Sequence, residues 1–508
     1  MREKWADSLS VGRVPVFTKC VGRGGREVGG VGASEFIPIV PKKDHDLPGR
    51  TAPQRVRVGV ASFFSRSARV VGFRAGSTRF ALSRRVGWLI FMLPSSRPVM
   101  KMIRPFLLSI GIGWGTAAEP EQVTAQRARI CENFFVPDPL PALDAKTHRR
   151  FAPATGVAAE AVTYTTQSGL RVPAILYLPD NLPRGRKIPA FIVVNGHGGD
   201  KYAWYAYFTG IAYARAGMAV LTYDQAGEGE RSGSHRSGTR DHDKLKGDEA
   251  LARRLAGLMI TDVRQAVSFL AARPEVDAAR IGAGGYSLGS FVLALAGAVE
   301  PRLRAVVLVG GGNLDGPDGY WDRSKAMCQG HPYRSLAFLG DRAAALYALH
   351  AARGPLLIWN GGGDTVVNMP QTPAAFFEDL RERVGARRGT AEGVFEYGFT
   401  PAASHRPYWL TRPVALWLER QLDFPNWDEA AIRALPGTHI LEWAQANGVA
   451  MDKLYATEER EGGTLAMGEN VPGFARDRLS VFSRGEWEKI KSTLTFEAWT
   501  ERAQAAVK

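Results

Sequence analysis

The chain has 508 residues, 45% hydrophobic and 23% charged, with three cysteines and a formal net charge of +15. This composition excludes a disordered, collagen-like or disulfide-dense chain. Cys20, Cys131 and Cys328 form no CxxC pair of the kind that holds structural zinc. The charge would suggest a nucleic-acid or anionic-membrane partner, but it is local: residues 1–118 carry 20 Lys+Arg against 6 Asp+Glu, and residues 119–508 carry 45 against 44.

Residues 1–99 are rich in Arg, Gly, Val and Ser and show no sustained period; they are expected to be a misassigned or disordered extension. The rival reading is a basic arm that binds nucleic acid. At Met100 or Met102 a new pattern starts: Lys101 and Arg104, then the uncharged stretch Pro105–Gly115, then Thr116-Ala117-Ala118. That is the layout of a signal peptide over 100–118, so translation is expected to start there and the mature chain to be secreted or periplasmic. No uninterrupted apolar run reaches the 18 residues of a membrane span. Outside the cytoplasm Cys131 and Cys328 could pair, or both could stay free thiols.

Residues 119–159 read as a helical lead-in. From about 160 to 423, short apolar runs alternate with helical stretches, which predicts an α/β fold with a mainly parallel central sheet flanked by helices. The expected strands are Ala161–Thr166, Val172–Leu178, Ala190–Val194, Met218–Tyr223, Arg280–Gly284, Ala305–Val309, Leu356–Trp359 and Val394–Tyr397. Residues 248–272 carry one apolar stripe at helical spacing, from Leu251 to Leu270, with Pro274 as a stop; residues 371–385 and 408–421 are expected helices. Residues 424–508 read as a mostly helical C-terminal extension, with pieces at Asp428–Leu435, Ile440–Asn447 and Gly485–Ala506 and a loop around Glu461–Gly473. Its tryptophans, with Trp427 at its start, suggest that it packs on the main domain.

The chemistry centres on Gly285-Tyr286-Ser287-Leu288-Gly289, a G-x-S-x-G between a strand-like and a helix-like run. Such a turn holds a serine exposed at a sheet edge. A serine nucleophile needs a base, and the base needs an orienting carboxylate. Asp364 follows the strand Leu356–Trp359 and a glycine-rich turn; His405 follows the last strand. Asp341 or Asp315 compete for the acid, and His350 or His331 for the base. The oxyanion donors are expected at the Leu288 amide and in the loop Asn195–Asp200, at Gly198. The turn Asp224–Ser232 reads as structural. Ser234–Asp248, with His235, Asp241, His242 and Asp243, reads as a solvated loop, with metal ligation by oxygen and imidazole, or by His197, as the alternative. The triple glycines at 310–312 and 361–363 lack the G-K-[ST] of a phosphate loop, and no G-x-G-x-x-G opens a helix with a following acidic partner, so a nucleotide cofactor is not indicated; the serine chemistry requires neither a cofactor nor a metal.

These residues resemble the α/β-hydrolase superfamily over roughly 160–423. The His197–Gly199 loop, the D-x-x-G-x-G-x-x-S turn of Asp224–Ser232 and the G-Y-S-L-G elbow make the chain similar to the dienelactone hydrolase and acetyl xylan esterase branch. Where acetyl xylan esterases carry R-G-Q-G and G-G-S-Q-G, this chain has Ala226-Gly227-Glu228-Gly229 and Gly285–Gly289. The reading is an exported serine hydrolase cleaving a small-molecule or carbohydrate ester, with no nucleic-acid partner and no membrane span in the mature chain. A peptidase of the same fold and a non-catalytic surface binding protein are the alternatives. Residues 313–353 are a candidate cap over the site.

Overall fold

The computed structural model describes residues 120–435, 464–465 and 474–506, apart from 237, 246–247, 318, 320, 322–328, 402, 406–408 and 410. The expected extension over 1–99, the signal over 100–118, Cys328, Trp443 and the piece Ile440–Asn447 lie outside the described residues.

Among the described residues, nine strands make one sheet: β1 (Lys146–Ala154), β2 (Val157–Thr165), β3 (Arg171–Pro179), β4 (Ile188–Val194), β5 (Ala219–Tyr223), β6 (Val276–Tyr286), β7 (Leu303–Val309), β8 (Leu356–Gly361) and β9 (Phe395–Thr400), in the spatial order β1-β2-β3-β5-β4-β6-β7-β8-β9. β1, β2 and β3 are an antiparallel meander, β3 runs antiparallel to β5, and all pairings from β5 to β9 are parallel. The parallel strands are apolar on both faces because helices cover both. In β4, Ile188, Ala190, Ile192 and Val194 pack in one core with α3 (Glu249–Ala271) and α4 (Leu288–Val299), while Phe191 and Val193 pack in the other with α2 (Trp204–Arg215) and the helix Arg412–Leu422. The α3 helix begins where the Asp248 side chain accepts the Leu251 N–H, supplying a partner for one of the unpaired first-turn amides.

The chain leaves β4 toward β5 on one side and returns to β6 on the other. The loops at the carboxyl ends of β4 and β6 therefore diverge and open a crevice, which is where open α/β sheets place their ligands.

The lead-in over 119–159 is not wholly helical. Helix α1 (Glu121–Asn133) is followed by β1 at Lys146–Ala154. β1 is an edge strand with one neighbour, it exposes Lys146, Thr147, His148 and Arg150, and so it lacks the apolar alternation that announces a strand. The C-terminal extension differs in two details. A two-residue ribbon pairs Thr464–Leu465 with Phe474–Ala475, inside and just after the expected loop. Gly485–Ala506 is two helices, Arg484–Ile490 and Phe496–Ala505, because Thr495 acts as an N-cap, its side chain accepting the Ala498 N–H. Trp487 and Trp499 are buried, one in each core.

A buried charge network ties this extension to the sheet. Lys201, Asp224 and Glu230 have fully buried side chains; the Lys201 ammonium contacts Asp224 and lies 2.8 Å from Glu230. Glu230 also accepts the backbone N–H groups of Val481 at 3.0 Å and Phe482 at 2.9 Å. Burial alone would raise the Glu230 pKa, yet the Lys201 charge, with hydrogen bonds from His235, Lys201 and the Val481 N–H, holds it down at about 2. The turn Asp224–Ser232 is thus a tie between β5 and the C-terminal segment. Lys201→Met, which strands two buried carboxylates, is expected to cost about 3–5 kcal/mol. Guanidinium unfolding checks it: an unchanged midpoint would show that the network adds nothing.

Candidate active site

Ser287 joins β6 to α4 with φ 55° and ψ −115°, a backbone conformation that a non-glycine residue holds only when its surroundings enforce it. The enforcement is visible. The Ser287 N–H donates to Val309 O at 2.9 Å, at the end of β7, and the Ser287 carbonyl accepts from Phe291 N at 3.2 Å. Gly289 lets the first turn of α4 press on β4: a Cβ there would lie 2.0 Å from Val194 O. The serine is half-buried at the crevice, and Leu288, as the first residue of α4, has an N–H with no partner inside the helix.

Asp364 and His405 come together 41 residues apart, with His405 Nδ1 2.7 Å from Asp364 Oδ2. The loops that carry them are hydrogen-bonded: Gly362 N donates to Thr400 O at 3.0 Å and Gly363 N to Ala403 O at 2.9 Å. The Asp364 carboxylate is fully buried, and its Oδ1 accepts Val366 N at 2.9 Å and Val367 N at 3.3 Å. With Nδ1 donating to a carboxylate, the neutral imidazole carries its lone pair on Nε2. The ring lies beside the elbow. Its centroid is 5.1 Å from that of Tyr286. Gly310, at φ +64° after β7, makes room for it, since a Cβ there would lie 2.8 Å from His405 Cε1. The triple glycine at 310–312 thus has a steric role at the site.

The competing residues are engaged elsewhere. Asp341 caps the helix Arg342–Ala351 and binds Arg383 at 2.6 Å. Asp315 holds Arg342 at 2.6 Å and the Ala343 N–H at 3.1 Å. His350 is buried, donating from Nε2 to Ala294 O at 2.8 Å and accepting from Arg353 at Nδ1, while His331 Nδ1 lies 3.0 Å from Arg334.

The loop after β4 lies against the serine: a Cβ on Gly196 would sit 3.0 Å from Ser287 Cβ. In this loop the Gly198 N–H donates to Glu228 Oε1 at 2.9 Å. The stretch Ser234–Asp248 is less solvated than its composition suggests. Asp241–Leu245 forms a tight 3-10 turn, His242 is fully buried with Nδ1 2.9 Å from Ala226 O, and its ring lies 5.1 Å from that of His197. Burial and then the neighbouring His197 push the His242 pKa down to about 3. Asp243 is held at about 2: burial opposes ionisation, but the His197 contact outweighs it. Nothing in the sequence connects these three residues, since His197 and His242 are 45 positions apart.

The strand order, with a serine at a strained turn after β6 and an Asp–His pair after β8 and β9, can now be set against known proteins. Residues 142–310 match the acetyl xylan esterase (AXE1) family, a third of the chain that includes Ser287 and ends before Asp364 and His405. The chain has the α/β-hydrolase fold. The likeness to acetyl xylan esterases read from the motifs is borne out over the matched part of the chain. Similar solved structures include acetyl xylan esterase 1 from Thermoanaerobacterium sp. (18% identity, TM-score 0.39, covering 62% of this chain and 96% of that one). Others are an acetyl xylan esterase from Paenibacillus sp. R4 (16%, TM-score 0.39, 59% and 93%) and a glucuronoyl esterase from Solibacter usitatus (15%, TM-score 0.41, 57% and 90%). No curated protein matches. Among the described residues, no helix is long and apolar enough to cross a membrane.

Proposed function

We propose that the chain is an exported serine hydrolase that cleaves a carboxylic ester through an acyl-enzyme, with acetyl esters of carbohydrates as the substrate class. The 2.7 Å bond from His405 to the buried Asp364, beside the strained Ser287, carries this reading. A serine at its ordinary pKa is a poor nucleophile. Here Ser287 Oγ attacks the ester carbonyl and His405 Nε2 takes its proton. Asp364 keeps the imidazole in the required tautomer and stabilises the imidazolium. The proton then passes to the leaving alcohol, and water, activated by the same histidine, releases the acyl group.

The oxyanion formed in each step is stabilised by the Leu288 N–H and by the loop after β4, whose Gly196 lies against the serine. Gly198 serves as second donor only if its N–H leaves Glu228, because a carboxylate bound there opposes a second negative charge. The match over residues 142–310 supports the ester class and the acetyl group. Export rests on the signal-like stretch Met100–Ala118.

The test is hydrolysis by the purified chain of p-nitrophenyl acetate, longer p-nitrophenyl esters, an acetylated xylo-oligosaccharide and the matching acetanilide. Turnover of the acetyl esters is expected, with a transient acetyl adduct on the Ser287 peptide by mass spectrometry. A folded chain that leaves every ester intact, or that prefers the anilide, would overturn the proposal.

A further inference from the structure

We propose that His197, His242 and Asp243 form a site for a divalent transition-metal ion of zinc-like preference, set beside Ser287. The ligating atoms of the three side chains lie within 4.8 Å of one another. Two imidazoles and one carboxylate suit zinc, whereas magnesium and calcium prefer oxygen ligands.

The strongest observation is His242. Its side chain is fully buried, and its Nδ1 donates to Ala226 O at 2.9 Å. That bond fixes the tautomer and leaves the lone pair on Nε2, which is the arrangement metal-ligating histidines use. Yet Nε2 is buried and, among the described residues, has no hydrogen-bond partner. A buried polar atom left in that state destabilises the fold, and a metal ion would satisfy it. Asp243 Oδ1 is a second buried atom, and its contact with His197 Nε2, at 3.5 Å, is longer than a normal hydrogen bond. The other Asp243 oxygen is held by Arg240 at 2.9 Å, which orients the carboxylate.

The position gives the site a consequence. His197 belongs to the loop after β4, next to Gly196 and the serine, while His242 and Asp243 belong to the 3-10 turn Asp241–Leu245. An ion bound to all three would pin the loop that faces Ser287 to this turn.

The full chain, stripped with a chelator, is titrated with Zn²⁺ in equilibrium dialysis with metal analysis, with Mg²⁺ as the oxygen-preferring control. One Zn²⁺ per chain is expected, with a thermal midpoint that rises with Zn²⁺, and weaker uptake of Mg²⁺. Asp243→Ala and His242→Ala are expected to weaken Zn²⁺ binding at least ~10-fold. Because His242 is buried and its variant could unfold, the half-buried Asp243 decides the case. A folded parent that takes up no Zn²⁺, equal uptake of Mg²⁺, or unchanged Zn²⁺ affinity in folded Asp243→Ala overturns the site. The readout is bound metal, so the result is separate from that of the ester assays.

Discussion

Ser287→Ala is expected to lower kcat/KM for an acetyl ester by at least ~10³-fold, with most of the loss in kcat. Removing a triad nucleophile takes away the covalent route, and what remains comes from oxyanion stabilisation and binding alone. The substitution deletes one oxygen from a half-buried side chain and keeps the Ser287 N–H bond to Val309 O, so the fold and its melting temperature should barely change. Ser290 is the matched control. It lies one helical turn away, fully buried, with an Oγ that has no hydrogen-bond partner among the described residues, so Ser290→Ala should leave turnover intact. Activity that survives in Ser287→Ala, or that disappears equally in Ser290→Ala, would mean that hydrolysis does not run through the elbow serine.

Sequence alone carried the reading at this site because each part has a local steric cause. A serine on a strained strand-to-helix turn requires small residues where the first turn of α4 presses on β6 and on β4, and Gly285 and Gly289 stand there in the sequence. Asp364 and His405 each follow a strand that its apolar run makes visible. What stayed hidden depends on contacts made at a distance. β1 is an edge strand of charged residues, and only its pairing with β2 defines it. The clustering of His197, His242 and Asp243 exists only once the 3-10 turn tucks against the loop after β4. The bond from Gly198 to Glu228 is of the same kind: the glycine announces a close approach, but not which group approaches. Lys201, three residues beyond Gly198, reads as an ordinary charge in sequence and is a fully buried one in the fold.

Asp364→Asn has the other large expected effect, a fall in kcat of ~10⁴-fold with little change in KM. The surroundings of the carboxylate dictate how the amide would sit. Oδ1 accepts two backbone N–H groups, from Val366 and Val367, so the carbonyl oxygen of Asn must take that position. The NH₂ group is then forced to the place of Oδ2, facing His405 Nδ1. A donor there stabilises the opposite tautomer, with the proton on Nε2 and no lone pair turned toward the serine. The base is disabled although every heavy atom stays in place, and the buried side chain keeps its backbone partners, so stability should hold. Asp315→Asn and Asp341→Asn, whose carboxylates bind Arg342 and Arg383, should by contrast retain kcat. The comparison is made by steady-state kinetics on one acetyl ester, with circular dichroism to verify folding. If Asp364→Asn keeps kcat within ~10-fold of the parent, the carboxylate does not set the tautomer, and His405 must be oriented by another group.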